Sequence, residues 1–173
     1  MTNHIALNRQ FSELDPKSIG ERDDLSRSMV SMFYGAKSWS NVLKNRCTVI
    51  ISEAGTGKTA ELMNKAKELR AEGKDAFFCR LDLLARTPFQ DCLEVGSKSE
   101  FVAWLASDAP GYFFLDSVDE ARLANAREFE TAILKFIAAV DHHLGRCTTV
   151  ISTRASAWQA LADPAMLASR LGV

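Results

Sequence analysis

The chain has 173 residues, 47% of them hydrophobic and 25% charged, with a net charge of −1. These values predict a single globular domain and exclude a disordered chain. The near-neutral balance supplies no global basic field for nucleic acid or an anionic membrane. No stretch approaches the roughly eighteen apolar residues that span a bilayer. The start, "MTNHIALNRQF", lacks the basic opening and apolar stretch of a secretory signal, so a cytoplasmic protein without a membrane partner is expected.

Residues 1–46 form a polar lead-in, with "SWSNVLKN" near its end. Ser40 is expected to cap a short helix carrying Val42 and Leu43. Four apolar runs follow, "CTVIIS" (47–52), "AFFCRL" (76–81), "GYFFLD" (111–116) and "CTTVIST" (147–153). Each is apolar on successive positions, the pattern of a strand buried on both faces of a parallel sheet. Helical patterns lie between them. The first puts Leu62, Ala66 and Leu69 on one face and stops at Gly73. The second opens with Ser97 and Glu100 at capping-box spacing, continues with Phe101, Val102 and Leu105, and stops at Pro110 and Gly111. The third spaces Phe129, Ile133, Phe136, Ile137, Val140 and Leu144 by threes and fours and stops at Gly145. Strand and helix alternate, which predicts an α/β sandwich with a parallel sheet and helices on both faces. Residues 47–158 are read as this core and 159–173 as a tail.

The cysteines, Cys47, Cys79, Cys92 and Cys147, are far apart and make no C-x-x-C pair; they are read as small core residues. His142 and His143 fall where imidazole suits a helix carboxyl end.

Between the first strand and the first helix stands "SEAGTGKTA". Glycines let a loop curl so that backbone N–H groups approach phosphates at a helix start. Gly55 and Gly57 supply that freedom. The cradle is assigned to Glu53, Ala54, Gly55, Thr56, Gly57, Lys58, Thr59 and Ala60. Lys58 offers charge to the β- and γ-phosphates, and the Thr59 hydroxyl offers an oxygen to Mg²⁺. The loop pattern G-x-x-x-x-G-K-[ST] has glycine where this chain has Ser52; a serine serves there if its φ stays negative.

In "GYFFLDSVDEA" the strand ends at Asp116, expected as the second Mg²⁺ anchor. Asp119 and Glu120 follow; either one of them orients or deprotonates the attacking water, or they charge the first turn of the next helix. Beside a phosphate loop the catalytic reading is favoured. In "TTVISTRASAW" Ser152, Thr153 and Arg154 bring polar groups to the same sheet edge. Arg154 is a candidate to sense the γ-phosphate or stabilise transition-state charge.

Taken together, these elements resemble the NACHT branch of the STAND class of P-loop NTPases, especially its bacterial members. Glu53, Ala54, Gly55, Gly57, Lys58 and Thr59 match the family's phosphate loop, and Asp116, Ser117, Asp119 and Glu120 match its acidic motif. "ISTR" at 151–154 is similar to its sensor strand and "SWSNVL" at 38–43 to its lead-in, so the resemblance covers about residues 30–158. It implies a P-loop NTPase three-layer sandwich that binds ATP or ADP with Mg²⁺ and hydrolyses slowly. It also implies a switch, ADP-bound at rest and a homo-oligomer when ATP-bound; many bacterial relatives defend against phage. Ser52 departs from the pattern, and the chain is expected to end after the fourth core strand, before the family's further regions. Two other classes compete. One is a turnover enzyme, a P-loop kinase or a mechanical ATPase; a kinase needs an acceptor site and an Arg-rich lid, whereas residues 83–97 carry only Arg86. A non-catalytic nucleotide-binding or interaction fragment keeps the fold without the chemistry. No N-K-x-D pattern for guanine occurs.

Overall fold

A computed structural model of the chain describes Phe11 and residues 37–53, 55–116, 126–154 and 162–171. The elements in order are α1 (Trp39–Val42), β1 (Cys47–Ile51), α2 (Lys58–Ala71), β2 (Asp75–Arg80), α3 (Leu81–Leu84), a 3-10 turn (Phe89–Asp91) and β3 (Leu93–Val95). Then come α4 (Lys98–Leu105), β4 (Gly111–Asp116), α5 (Ala126–Val140), a second 3-10 segment (Asp141–Arg146), β5 (Cys147–Thr153) and α6 (Ala162–Leu171). The described strands form one sheet in the order β1-β5-β4-β2-β3. β1, β5, β4 and β2 are parallel, and β3 adds to β2 antiparallel. The chain is therefore α/β with a mostly parallel sheet, as the alternation of elements predicts. Among the described residues no helix is long and apolar enough to cross a membrane.

Successive residues on a strand point to opposite faces, so unbroken apolar runs build two cores. On one face Phe77, Cys79, Phe113, Leu115 and Ile151 meet α3, α4, α5 and α6. On the other, Ala76, Phe78, Phe114 and Val150 meet Leu62, Ala66 and Leu69 of α2, the stripe predicted from its spacing. β1 lies at the sheet edge in this strand order and is half-buried at every position, which corrects the expectation that it is buried on both faces.

Several local expectations are met and several are adjusted. Ser97 and Glu100 form the capping box, with the Ser97 N–H donating to Glu100 Oε2 at 2.8 Å. α1 is capped by Ser38 rather than Ser40: the Ser38 N–H donates to Asn41 Oδ1 at 3.1 Å, so the turn begins earlier than Val42 and Leu43 suggested. The third helix stops at Val140, and Asp141–Arg146 tighten into 3-10 geometry before β5. β3 was not expected, because three residues are too few to show a period. The supposed tail contains α6, whose Leu167 and Leu171 are buried in the aromatic core. Arg46 ties this helix down, its Nη2 donating to the carbonyls of Leu144 at 3.2 Å and Leu171 at 3.5 Å. The helix expected to run to Pro110 and Gly111 stops earlier, at Leu105, and Gly111 opens β4 instead, where a Cβ would lie 2.7 Å from the Trp104 indole, so glycine admits the ring.

The thiols behave as core groups. Burial pushes Cys47 up to about 11 and Cys147 up to about 12, the latter against the opposing pull of Arg146 and Arg46. His143 packs edge-on against Trp104 and lies 3.1 Å from Arg146 Nη2.

Candidate functional site

The carboxyl ends of the parallel strands come together with the start of α2. β1 delivers Ser52, whose N–H donates to the Thr153 carbonyl at 3.2 Å, so the loop leaves the sheet from a paired strand. Two glycines then turn the chain: Gly55 has φ 72 and Gly57, the N-cap of α2, has φ 79. A side chain at either position would be strained, whereas no described non-glycine residue has positive φ, Ser52 included. The missing glycine at position 52 therefore costs the loop no backbone strain. The serine instead adds a link across the loop mouth, its hydroxyl lying 3.0 Å from the Thr56 hydroxyl, which in turn donates to the Glu53 carbonyl at 3.0 Å.

Lys58 opens α2 and folds back over this loop. Its Nζ donates to the carbonyls of Ser52 and Glu53, each at 2.7 Å. The ammonium thus stands at the loop mouth, held by backbone oxygens that a phosphate oxygen can supplement or replace. Ala60 lies in the same first turn, exposed, so no apolar side chain closes the mouth there.

One residue on, the Thr59 hydroxyl donates to Asp116 Oδ2 at 2.6 Å. Asp116 ends β4 and is 1% exposed. Its other oxygen, Oδ1, accepts a hydrogen bond from the Ser152 hydroxyl of β5. A buried carboxylate is tolerable only when hydrogen-bonded, and these two hydroxyls supply that on opposite sides. The sequence placed Ser152 at this sheet edge but gave it no partner; the insertion of β5 between β1 and β4 makes it Asp116's neighbour. The set of one carboxylate and two hydroxyls fits Mg²⁺, a hard cation that takes oxygen ligands and commonly completes its shell with phosphates and water.

Arg154 follows β5, half-buried, at the level where Thr153 pairs with Ile51, and so borders the glycine loop. Ala54, Asp119, Glu120 and Ser117 lie outside the described residues, as does the cap alternative for the acidic pair. The sequence also passed over Arg80, which ends β2 beside Asp116. Compared with known proteins, the chain matches no family model, no curated protein and no solved structure.

Proposed function

We propose that this chain is the nucleotide-binding module of a regulatory switch, taking ATP or ADP with Mg²⁺ and hydrolysing ATP slowly. One observation carries the reading. Thr59 and Asp116, 57 residues apart in the chain, meet at 2.6 Å directly after a loop whose two glycines are left-handed. A hydroxyl in the first turn of a helix and a carboxylate at the end of an apolar strand are the two groups that a metal–nucleotide site needs side by side.

The roles follow from that placement. The backbone from Glu53 to Ala60 offers its N–H groups to the phosphates, with the helix dipole of α2 behind them. Lys58 adds a positive charge at the loop mouth. Thr59 and Asp116 would hold Mg²⁺, and Ser152 would keep the Asp116 carboxylate turned toward it. Mg²⁺, when bound, neutralises phosphate charge. Arg154 borders the site as the candidate for sensing or stabilising γ-phosphate charge. The water-directing task falls to Asp119 or Glu120 on their spacing from Asp116, with Glu120 preferred for its longer reach. The NACHT and STAND resemblance supports a switch that is ADP-bound at rest and oligomeric with ATP, in a defence setting against phage.

The test separates binding from chemistry. Asp116→Ala is expected to weaken Mg·ATP binding and hydrolysis together. Glu120→Gln is expected to leave binding nearly intact and slow single-turnover hydrolysis by roughly 10², the scale of losing a positioned base. If Asp119→Asn alone slows hydrolysis, the two roles exchange. If neither change slows a measurable wild-type rate, the acidic pair is only a helix cap. Unchanged Mg·ATP binding in Asp116→Ala removes the metal assignment.

A further inference from the structure

A second charged pair stands in line with Asp116. Strand register sets Arg80 of β2 beside Asp116 of β4, and Asp116 beside Ser152 of β5. Register partners share a face. That face is the one under α2, because Phe78 and Phe114, two positions earlier on each strand, both pack in the α2 core. Ser152, Asp116 and Arg80 thus form a row across three adjacent strands, and the Thr59 hydroxyl at the start of α2 meets its middle member.

Arg80 is held away from the row by the edge strand. Its Nη2 donates to Glu94 Oε2 at 3.1 Å and its Nε lies 2.7 Å from Oε1. Among the described residues the Nε N–H is nonetheless not aimed along a hydrogen bond to any acceptor. The two side chains are 32% and 26% exposed. Glu94 sits in β3, three residues long, where the register with β2 shifts between Phe78 and Cys79.

We propose that Arg80 reads the γ-phosphate: it is latched to Glu94 when no γ-phosphate is present, exchanges that carboxylate for γ-phosphate oxygens when ATP enters, and so releases the edge strand. The inference rests on the nucleotide reading above and adds to it how triphosphate is told from diphosphate and where the difference is felt. Three arguments carry it. A guanidinium cannot shed its charge, so Arg80 remains able to bind an anion in either state. A partly exposed carboxylate pair is weakly held, and the guanidinium fork takes phosphate oxygens in the same paired, charge-assisted geometry, so one anion can replace the other. Neighbouring strands lie only about 4.8 Å apart, a gap that an arginine side chain spans.

The output follows from the sheet. β3 is joined to β2 at two register positions, Phe78 with Val95 and Cys79 with Leu93. The Arg80–Glu94 pair bridges the same two strands at the carboxyl end. Moving Arg80 to a phosphate removes that bridge, so nucleotide state is transmitted to the segment around β3.

The experiment is calorimetric titration of the whole chain with Mg·ATP and Mg·ADP, joined to hydrogen exchange of the Leu93–Val95 amides. Arg80→Gln is expected to lower ATP affinity about tenfold or more and ADP affinity less than about twofold, the loss of a charge-assisted contact made only to the γ-phosphate. Glu94→Gln is expected to raise ATP affinity about threefold with ADP unchanged, and to do nothing once Arg80 is replaced. In the wild type the β3 amides exchange faster with ATP than with ADP; in Arg80→Gln the two nucleotides give the same rate. Equal losses of ATP and ADP affinity in Arg80→Gln overturn the proposal. So does a Glu94→Gln variant with the wild-type ATP-to-ADP ratio, and that arm decides the matter alone if Arg80→Gln does not fold. Wild-type binding that depends on Lys58, with discrimination independent of Arg80, overturns this inference only. A wild type that binds neither nucleotide overturns the nucleotide reading and this inference together.

Discussion

The two faces of the sheet are built from different side chains for different ends. One is aromatic: Phe77, Phe89, Phe101, Trp104, Phe113 and Phe136 form a continuous set of ring contacts, with the Phe113–Trp104 centroids 5.0 Å apart and Phe113–Phe136 at 5.2 Å. The Arg146 guanidinium closes over Trp104 at 4.0 Å. The other face carries small groups under α2, with Ala66 and Ala76 fully buried among Leu62, Phe78 and Phe114. Small residues allow α2 to sit close on the sheet, and close seating brings Thr59 within hydrogen-bond reach of Asp116. One face holds most of the large buried side chains; the other sets the height of the glycine loop above the strand ends.

If that division holds, replacements on the two faces should separate stability from binding. The largest effect is expected at Phe113→Ala, which empties the middle of the ring cluster and should cost about 3–5 kcal/mol of stability. Urea unfolding checks it, and nucleotide affinity of the folded fraction should stay within about twofold. A small loss of stability there would mean that the cluster is not the main core.

Ala66→Leu tests the other face. Overpacking should cost about 1–3 kcal/mol and, unlike Phe113→Ala, should lower Mg·ATP affinity in the folded protein by lifting α2 away from Asp116. Unfolding and calorimetry on the same sample distinguish the two outcomes. Unaltered affinity with lowered stability would show that the loop does not depend on the seating of α2.

Lys58→Ala removes the loop's ammonium without touching either core. ATP affinity should fall at least tenfold, about 1.4 kcal/mol. Since Lys58 also binds the carbonyls of Ser52 and Glu53, part of that loss will reflect loop shape. Lys58→Arg, which keeps the charge, should recover some of it. Equal calorimetric affinities for Lys58→Ala and wild type would remove the phosphate assignment.

The smallest effect is expected at the departure from the loop pattern. Ser52 needs no left-handed backbone, so Ser52→Gly should change affinity less than about threefold, well under 1 kcal/mol. A gain beyond about tenfold would show that the serine, or its link to Thr56, holds the loop back.

Legibility in the sequence follows how local each signal is. The stripe of Leu62, Ala66 and Leu69 and the pairing of Ser97 with Glu100 depend on neighbours within one or two turns, and both stand where their spacing puts them. The strand runs were equally legible, since unbroken apolar segments bounded by turns have few other uses. β3 escaped because three residues reveal no period, and α6 because a short C-terminal segment shows its role only when Leu167 and Leu171 find the core. At the candidate site, Lys58, Thr59 and Asp116 were read from loop chemistry and a strand-ending carboxylate, and the fold brings Thr59 to Asp116. Ser152 was read only as one of the polar groups ending its strand and Arg80 was passed over, because it is strand order that sets each of them one strand away from Asp116.

By itself, then, the sequence determined what depends on spacing along the chain: the α/β alternation, the apolar strands, the α2 face and the glycine loop followed by Lys58 and Thr59. The tertiary structure decided what depends on neighbours across it. Strand order placed β5 between β1 and β4, left β1 at an edge and laid Ser152, Asp116 and Arg80 in one row. The physical reason is that helical and strand periods are written in consecutive residues, whereas the order of strands is set by how crossovers pack their helices, a contest among distant surfaces that no short stretch records.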